Sequence, residues 1–479
     1  MKNVAWSLGH ALLSKGCSFV FTNIIGNLLL PEQLGLFVTL LLVVTYAANI
    51  FSLNLGGGIV QKMNSLGASQ DPGRFFTAGI LAIAFLSATA LVVFYLLSDS
   101  LIHLFDIPRA RDIMHMTYPL LVLTMFRSYF THVYQAELRF KPLALINMTA
   151  AGVQILVTLL LLFLGMSLKG VFWGLYSSSL VALAPLAYHS IRRFGMHVNR
   201  ETIDNLKKLT AFSSIIFIGS IAVLLDQRID MIFVAHFLDN QEVAVYDYVL
   251  KFALLFVLFG ASISKVTYPR FTQAFSDQSQ DISRIFNFSL NYTFFFLSIL
   301  SLIFFLHAEW IIGLILPDFY LQLIPYLLIL LIGVIPKSVV TSVGTLFTAK
   351  GLPSVSLWVN WLLLGVNVML NVLLIPHYGL YGAAIATTTS FLLKPLIMLF
   401  LIARKLRVSY TYRKLSANFL LFMGVLVGGH YVESYAIREL ILLFYLLYSY
   451  HVFLNKTEKQ YLLSGWHRLN NRMIQFIRS

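Results

Sequence analysis

Apolar runs long enough to cross a lipid bilayer recur along the whole chain. A helix of about 20 apolar residues spans the hydrocarbon core, and about fourteen such runs can be read here. They are Trp6–Leu30, Leu34–Leu55, Phe75–Ser98, Met114–Ala136, Pro142–Leu164, Leu168–Ile191 and Leu209–Phe237 in the first half. Val243–Ser264, Phe286–Leu306, Leu323–Phe347, Ser354–Ile375, Leu380–Ala403, Leu415–Tyr431 and Leu440–Leu454 follow. Backbone polar groups find no water in hydrocarbon, so runs of this length must pair their own N–H and C=O groups as helices. The expected fold class is an all-α integral membrane protein with about 14 transmembrane helices.

Composition agrees. The 479 residues are 58% hydrophobic and only 11% charged, where a soluble domain carries about 25% charged residues. The one cysteine, Cys17, lies inside the first run and supplies neither a disulfide framework nor a metal set. That run carries His10, Ser14 and Lys15, with no small-residue cleavage site after it. It reads as a span rather than a removable signal.

The formal net charge of +14 does not point to nucleic acid, because the charges sit in short clusters between apolar runs, where they set orientation. With a cytoplasmic N-terminus, about 24 basic residues fall on the cytoplasmic side, about 4 outside and about 6 within spans. The heaviest inside clusters are Arg192, Arg193, Arg200, Lys207 and Lys208, then Arg404, Lys405, Arg407, Arg413 and Lys414. Asp99, Asp106, Asp112, Asp239, Glu242, Glu309 and Asp318 fall outside. Both termini are therefore expected in the cytoplasm.

The chain also repeats itself. Pro31-Glu32-Gln33-Leu34-Gly35-Leu36-Phe37 aligns with Asn240-Gln241-Glu242-Val243-Ala244-Val245-Tyr246. Gly170-Val171-Phe172-Trp173-Gly174 aligns with Gly379-Leu380-Tyr381-Gly382, and Pro142 with Pro353. The offset is about 210 positions, which predicts two six-helix halves in the same orientation. The expected organisation is a six-helix lobe over 1–191, a basic cytoplasmic linker over 192–208 and a second six-helix lobe over 209–403. Two additional helices over 404–454 and a basic cytoplasmic tail over 455–479 complete it.

Charges inside the spans are the sharpest functional signal. Lys15, Arg127, Arg228, Lys251, Lys337 and Lys394 are basic, and Asp226, Asp230 and Asp247 are acidic. A lipid-facing Lys or Arg at mid-membrane costs ~2.5–3.5 kcal/mol, so six would cost on the order of 15–20 kcal/mol, above a usual net stability. They must be paired, snorkelling or lining water. Asp247 and Lys251, four apart, can pair on one helical face. Asp226 and Asp230 share a face, while Arg228 points to nearly the opposite side of a regular helix. Lys337 and Lys394, beside prolines, can snorkel to an interface. The functional reading is a cationic, water-filled cavity suited to a phosphate-bearing or acidic cargo. Asn23, Asn27, Asn49, Asn54, Gln154, Asn360, Asn367 and Asn371 can then serve sugar hydroxyls or bond between helices.

No phosphate-loop, His-Glu-x-x-His or Cys-x-x-Cys pattern occurs, so no catalytic residue, metal ligand or cofactor site is expected. His103, His115, His132 and His236 read as interface residues. Outward loops are short, against what a membrane polymerase or ligase needs to hold its acceptor.

Trp6-Ser7-Leu8-Gly9, then Leu29-Leu30-Pro31-Glu32-Gln33-Leu34-Gly35-Leu36-Phe37 and Asn54-Leu55-Gly56 resemble the opening of polysaccharide exporters. These are the Wzx-type oligosaccharide flippases of the multidrug/oligosaccharidyl-lipid/polysaccharide (MOP) superfamily. Gly379-Leu380-Tyr381-Gly382-Ala383-Ala384-Ile385-Ala386 is similar to that family's twelfth-helix opening. The resemblance implies two lobes working by alternating access in the cytoplasmic (inner) membrane. It implies a polyprenyl-diphosphate-linked oligosaccharide as cargo, moved to the outer leaflet for O-antigen (lipopolysaccharide), capsule or exopolysaccharide assembly. A polysaccharide polymerase is the partner it suggests. Asn27 and Asn54 stand where the family often has a basic and an acidic residue, so neither is carried over as a binding residue. The resemblance also implies an ion gradient or membrane potential as the drive, with Asp226, Asp230 and Asp247 as ion-coupling candidates; the alternative within the superfamily is a cation-coupled multidrug exporter.

Overall fold

A computed structural model of the chain describes residues 20–65, 73–107, 110–137, 139–196, 198, 200–277, 282–410, 412–432, 434–453 and 459. The described residues form helices and connecting turns, with no strand among them. Contacts divide the chain into two compact units, Met1–Asp247 and Tyr248–Ser479. Eight helices among the described residues are long and apolar enough to cross a membrane. One of these, Pro353–Leu406, holds two of the expected runs, separated where Gly379 takes φ 56° and ψ −135°. Glycine alone adopts that conformation without strain. The observed helices are compatible with the fourteen runs without fixing their number. Most of the first run lies outside the described residues.

Helices of the first unit include α1 Pro31–Phe51, α2 Leu55–Ser65, α3 Gly73–Leu104, α4 Thr117–Ala136, α5 Phe140–Phe163, α6 Ser167–Phe194 and α7 Arg200–Phe237. α8, Asn240–Asp277, begins there and runs on into the second unit. Pro31 opens α1 at a position where its missing N–H costs nothing. α1 ends where Leu53 and Asn54 take positive φ. Asn54 then caps α2 by accepting the Gly57 N–H on Oδ1 at 3.2 Å.

Named contacts show how these helices alternate. At one end of the unit, Ser167 Oγ donates to Gln33 Oε1 at 3.3 Å, Tyr176 bonds the Met116 carbonyl, and His236 bonds the Leu104 carbonyl. At the other end Arg74 pairs with Glu201 at 2.6 Å and His189 with Glu137 at 3.2 Å. The starts of α1, α4 and α6 thus share an end with the finishes of α3 and α7, as up-and-down spans require. The two copies of the repeated opening also touch: a Cβ on Gly35 would run into the Asn240 carbonyl.

The second unit contains α9 Ile282–Leu306, α10 Ala308–Ile315, α11 Ile324–Val343, α12 Pro353–Leu406, α13 Tyr412–His430 and α14 Tyr435–Tyr448. α11 and the second half of α12 lie side by side and run the same way. Tyr326 meets Tyr381 with centroids 4.7 Å apart, and Thr388 Oγ1 donates to the Ile329 carbonyl at 2.8 Å. α4 and α6 run parallel likewise, with Met116 beside Tyr176 and Glu137 beside His189. α13 and α14 pack on α9 through Phe294–Phe422 and through Arg438, which donates to the Leu306 carbonyl at 3.0 Å.

Large apolar side chains cover the outer faces of these helices. Phe85, Leu96, Phe163, Trp358, Leu396 and Leu420 are all well exposed. In water such a surface would aggregate; in a bilayer it is the solvated face. The chain is a multi-pass membrane protein.

Candidate functional site

Arg228, Asp230 and Asp247 gather where α7 is broken. Arg228 has φ −152° and ψ 19°, outside helical geometry. Across that kink the regular step of about 100° per residue is lost, so Arg228 does not point away from Asp230. Both side chains reach α8. Arg228 Nη1 donates to Asp247 Oδ1 at 2.9 Å, with Asp247 only 1% exposed and Arg228 36% exposed. Asp230 accepts from Tyr246 Oη at 3.0 Å and from the Met231 N–H at 3.0 Å. Tyr46 of α1, also buried, lies close enough to feel both Asp230 and Arg228. Its hydroxyl has no hydrogen-bond partner among the described residues.

The arrangement has a clear chemical sense. Asp247 is held by a full opposite charge, the guanidinium of Arg228. Asp230 is held by a phenol O–H and a backbone N–H, both of them donors to its carboxyl oxygens. Breaking either contact removes a favourable interaction from a buried carboxylate.

The other expected site residues are placed as follows. Arg127 is half-buried and donates from Nη2 to Asn147 Oδ1 at 3.0 Å, tying α4 to α5. In the second unit, Lys251 is half-buried, its Nζ 5.3 Å from the centroid of Tyr248. Lys337 does not snorkel: it is 7% exposed, and its Nζ sits 3.5 Å over the Phe391 ring. There the aromatic face supplies negative charge density. Lys394 is half-buried in the second half of α12. Asp226 belongs to α7, but its side chain, like all of Lys15, lies outside the described residues. Among the described residues no group of three or more His, Cys, Asp or Glu is placed to hold a metal ion.

Sequence reasoning missed Tyr46, Tyr246 and Asn147. One signal was available: Tyr246 stands in the second copy of the repeat where Phe37 stands in the first. Phe37 packs edge-on against Phe172 at 5.8 Å, whereas the added hydroxyl of Tyr246 serves Asp230.

The fold defines an all-helical, multi-pass membrane protein. The structure is similar to the lipid II flippase MurJ in its inward closed conformation, with a TM-score of 0.73 and 15% sequence identity. The match covers 94% of this chain and 98% of that one. A family profile described as "Polysaccharide biosynthesis protein" matches residues 1–275, and one described as MatE matches residues 216–373. The chain belongs to the polysaccharide biosynthesis protein family.

Two curated relatives carry functional names. A probable low-salt glycan biosynthesis flippase, Agl15 of Haloferax volcanii, is 22% identical over 301 residues, 62% of this chain and 63% of its own length. The succinoglycan biosynthesis transport protein ExoT of Rhizobium meliloti is 24% identical over 285 residues, 58% of this chain and 55% of its own length. The chain thus spans less than two thirds of the length of either relative.

Proposed function

We propose that this protein is a flippase for polyprenyl-diphosphate-linked oligosaccharide repeat units. It turns them from the inner to the outer leaflet of the cytoplasmic membrane for O-antigen, capsule or exopolysaccharide assembly. The observation that carries the reading is the Arg228–Asp247 and Asp230–Tyr246 cluster, whose charges belong to runs read from the sequence as spans, where structural economy alone disfavours them. The family membership and the flippase and transport names of the relatives support the same reading.

In this account the lobes over 1–191 and 209–403 rock about a cavity, with 192–208 as cytoplasmic linker and both termini in the cytoplasm. The half-buried cations Arg127, Arg228, Lys251 and Lys394 face the cargo's diphosphate. Lys15 belongs with them by its place in the first run. Lys337, packed over Phe391, acts on the cavity from within its own unit. Asp230, with Asp226, takes up the coupling ion, and Asp247 holds Arg228 in place. A polysaccharide polymerase is the downstream partner.

The MatE match over 216–373 favours a second reading, a cation-coupled drug exporter. The absence of any acid from the first six apolar runs weighs against it. Deletion in the host separates the two. The flippase reading expects polyprenyl-linked repeat units to accumulate and surface polysaccharide to fall, both reversed by the wild-type gene. Unchanged polysaccharide with raised sensitivity to cationic drugs would select the exporter.

A further inference from the structure

A cavity of about 360 Å³ opens within the first unit where α1 breaks into α2, near the lower end of the ~300–1,000 Å³ typical of small-molecule sites. Asn49, Ser52 and Asn54 line it from that break, and Ser128 and His132 from successive turns of α4. Phe217 of α7 adds an aromatic wall.

The lining decides what the cavity can hold. No charged side chain lines it among the described residues. The run Gly56-Gly57-Gly58 at the start of α2 resembles a phosphate cradle in composition, but its donors are already engaged. Leu55 N–H bonds the Ser52 carbonyl at 2.9 Å and Gly58 N–H the Asn54 carbonyl at 3.1 Å. Gly57 N–H bonds Asn54 Oδ1 at 3.2 Å. That leaves at most one of the first four N–H groups, and an anion here finds neither counter-charge nor a nest of donors.

What the lining does offer is acceptors. His132 Nδ1 lies 2.8 Å from the Ser128 carbonyl. A carbonyl only accepts, so Nδ1 is the donor in that contact and Nε2 is the ring nitrogen left to meet a sugar hydroxyl. Asn49 spends its amide N–H on the Thr45 carbonyl at 2.8 Å, leaving Oδ1 to accept. Ser52 Oγ donates to the Asn49 carbonyl at 3.0 Å and keeps its own lone pairs. Acceptors beside an aromatic wall match a molecule with several O–H donors and an apolar C–H face. Gly56 is part of the construction, because a Cβ there would run into the His132 ring.

We propose that this cavity seats one neutral sugar ring, a hexose or N-acetylhexosamine, by accepting its hydroxyl hydrogens. The proposal rests on the flippase reading for placing that sugar in the cargo. It divides recognition into a neutral sugar subsite at His132 and a charged region at Arg228.

Saturation-transfer difference NMR on the full-length protein in nanodiscs tests it. The probes are D-glucose, D-galactose, N-acetyl-D-glucosamine and D-glucose 6-phosphate. At least one neutral sugar should give saturable transfer to its ring protons, and the phosphate should give far less. Transfer should fall at least fivefold in His132→Phe and in Asn49→Leu and return in part in His132→Gln, whose side chain restores an acceptor. Ser128→Ala, a small change, serves as a second reading should a larger one fail to fold. No saturable transfer from any neutral sugar, preference for the phosphate, or transfer surviving both large substitutions would overturn the proposal. Movement of lipid-linked oligosaccharide in proteoliposomes is scored on the same preparations. Cargo movement without sugar transfer overturns the subsite and leaves the flippase reading intact. Sugar transfer dependent on His132 without cargo movement supports the subsite and removes the flippase reading.

Discussion

Arg228 sits where α7 loses its helical geometry, and its guanidinium meets the buried carboxylate of Asp247 at 2.9 Å. The kink is what makes the pair: in a regular helix Arg228 would stand away from Asp230, yet here both address α8. A buried carboxylate held this way is costly to expose or strand, so the pair both positions α8 against α7 and keeps a cation within the membrane.

Arg228→Ala should take the guanidinium away from the buried Asp247 carboxylate and lower stability by about 1–3 kcal/mol, less than for a wholly buried pair because the arginine is 36% exposed. The double variant Arg228→Met with Asp247→Leu should recover most of the melting temperature in detergent. It should not recover transport. Equal transport by the double variant and wild type would reduce the pair to a structural role.

Asp230→Asn keeps an oxygen that can accept from Tyr246, so insertion and melting temperature should change little. If Asp230 takes up the coupling ion, transport by this variant loses its dependence on an imposed ion gradient. Gradient dependence identical to wild type would remove Asp230 from coupling.

Gly35→Ala should destabilise the first unit by roughly 1–3 kcal/mol, since the new methyl meets the Asn240 backbone, which cannot rotate away. Gly365→Ala is the control: nothing lies within 4 Å of its Cβ. It should be neutral or stabilising by up to about 1 kcal/mol. Thermal melts of the two variants decide the point.

Orientation can be read by labelling, because Cys17 is the chain's one cysteine. In a Cys17→Ser background, Asp99→Cys should react with an impermeant maleimide added to intact cells. Arg193→Cys should react only after the membrane is opened. The reverse pattern would invert the proposed topology.

The spans were legible because lipid leaves the chain so few choices: long apolar runs, with Gly379 marking the break inside Pro353–Leu406. The charged site was legible as a residue set and not as a geometry. Arg228, Asp230 and Asp247 stood out by their cost in hydrocarbon, but their facing was misread because periodicity assumes an unbroken helix. Lys337 stands out in the sequence as a charge in a span that can line a cavity or snorkel, and its burial over Phe391 depends on a ring more than fifty residues away. His132 read as an interface residue, and nothing local tells that α1 breaks beside it to leave a cavity. Neutral polar groups carry no insertion cost large enough to announce themselves.

Translocation of labelled polyprenyl-diphosphate oligosaccharide in proteoliposomes, with wild type and Arg228→Ala side by side, tests the central claim most directly. The account predicts cargo movement by wild type at several times the protein-free rate, and at least tenfold slower movement by Arg228→Ala at equal incorporation. A wild-type protein that moves a cationic drug down a cation gradient and leaves the oligosaccharide lipid in place would contradict it.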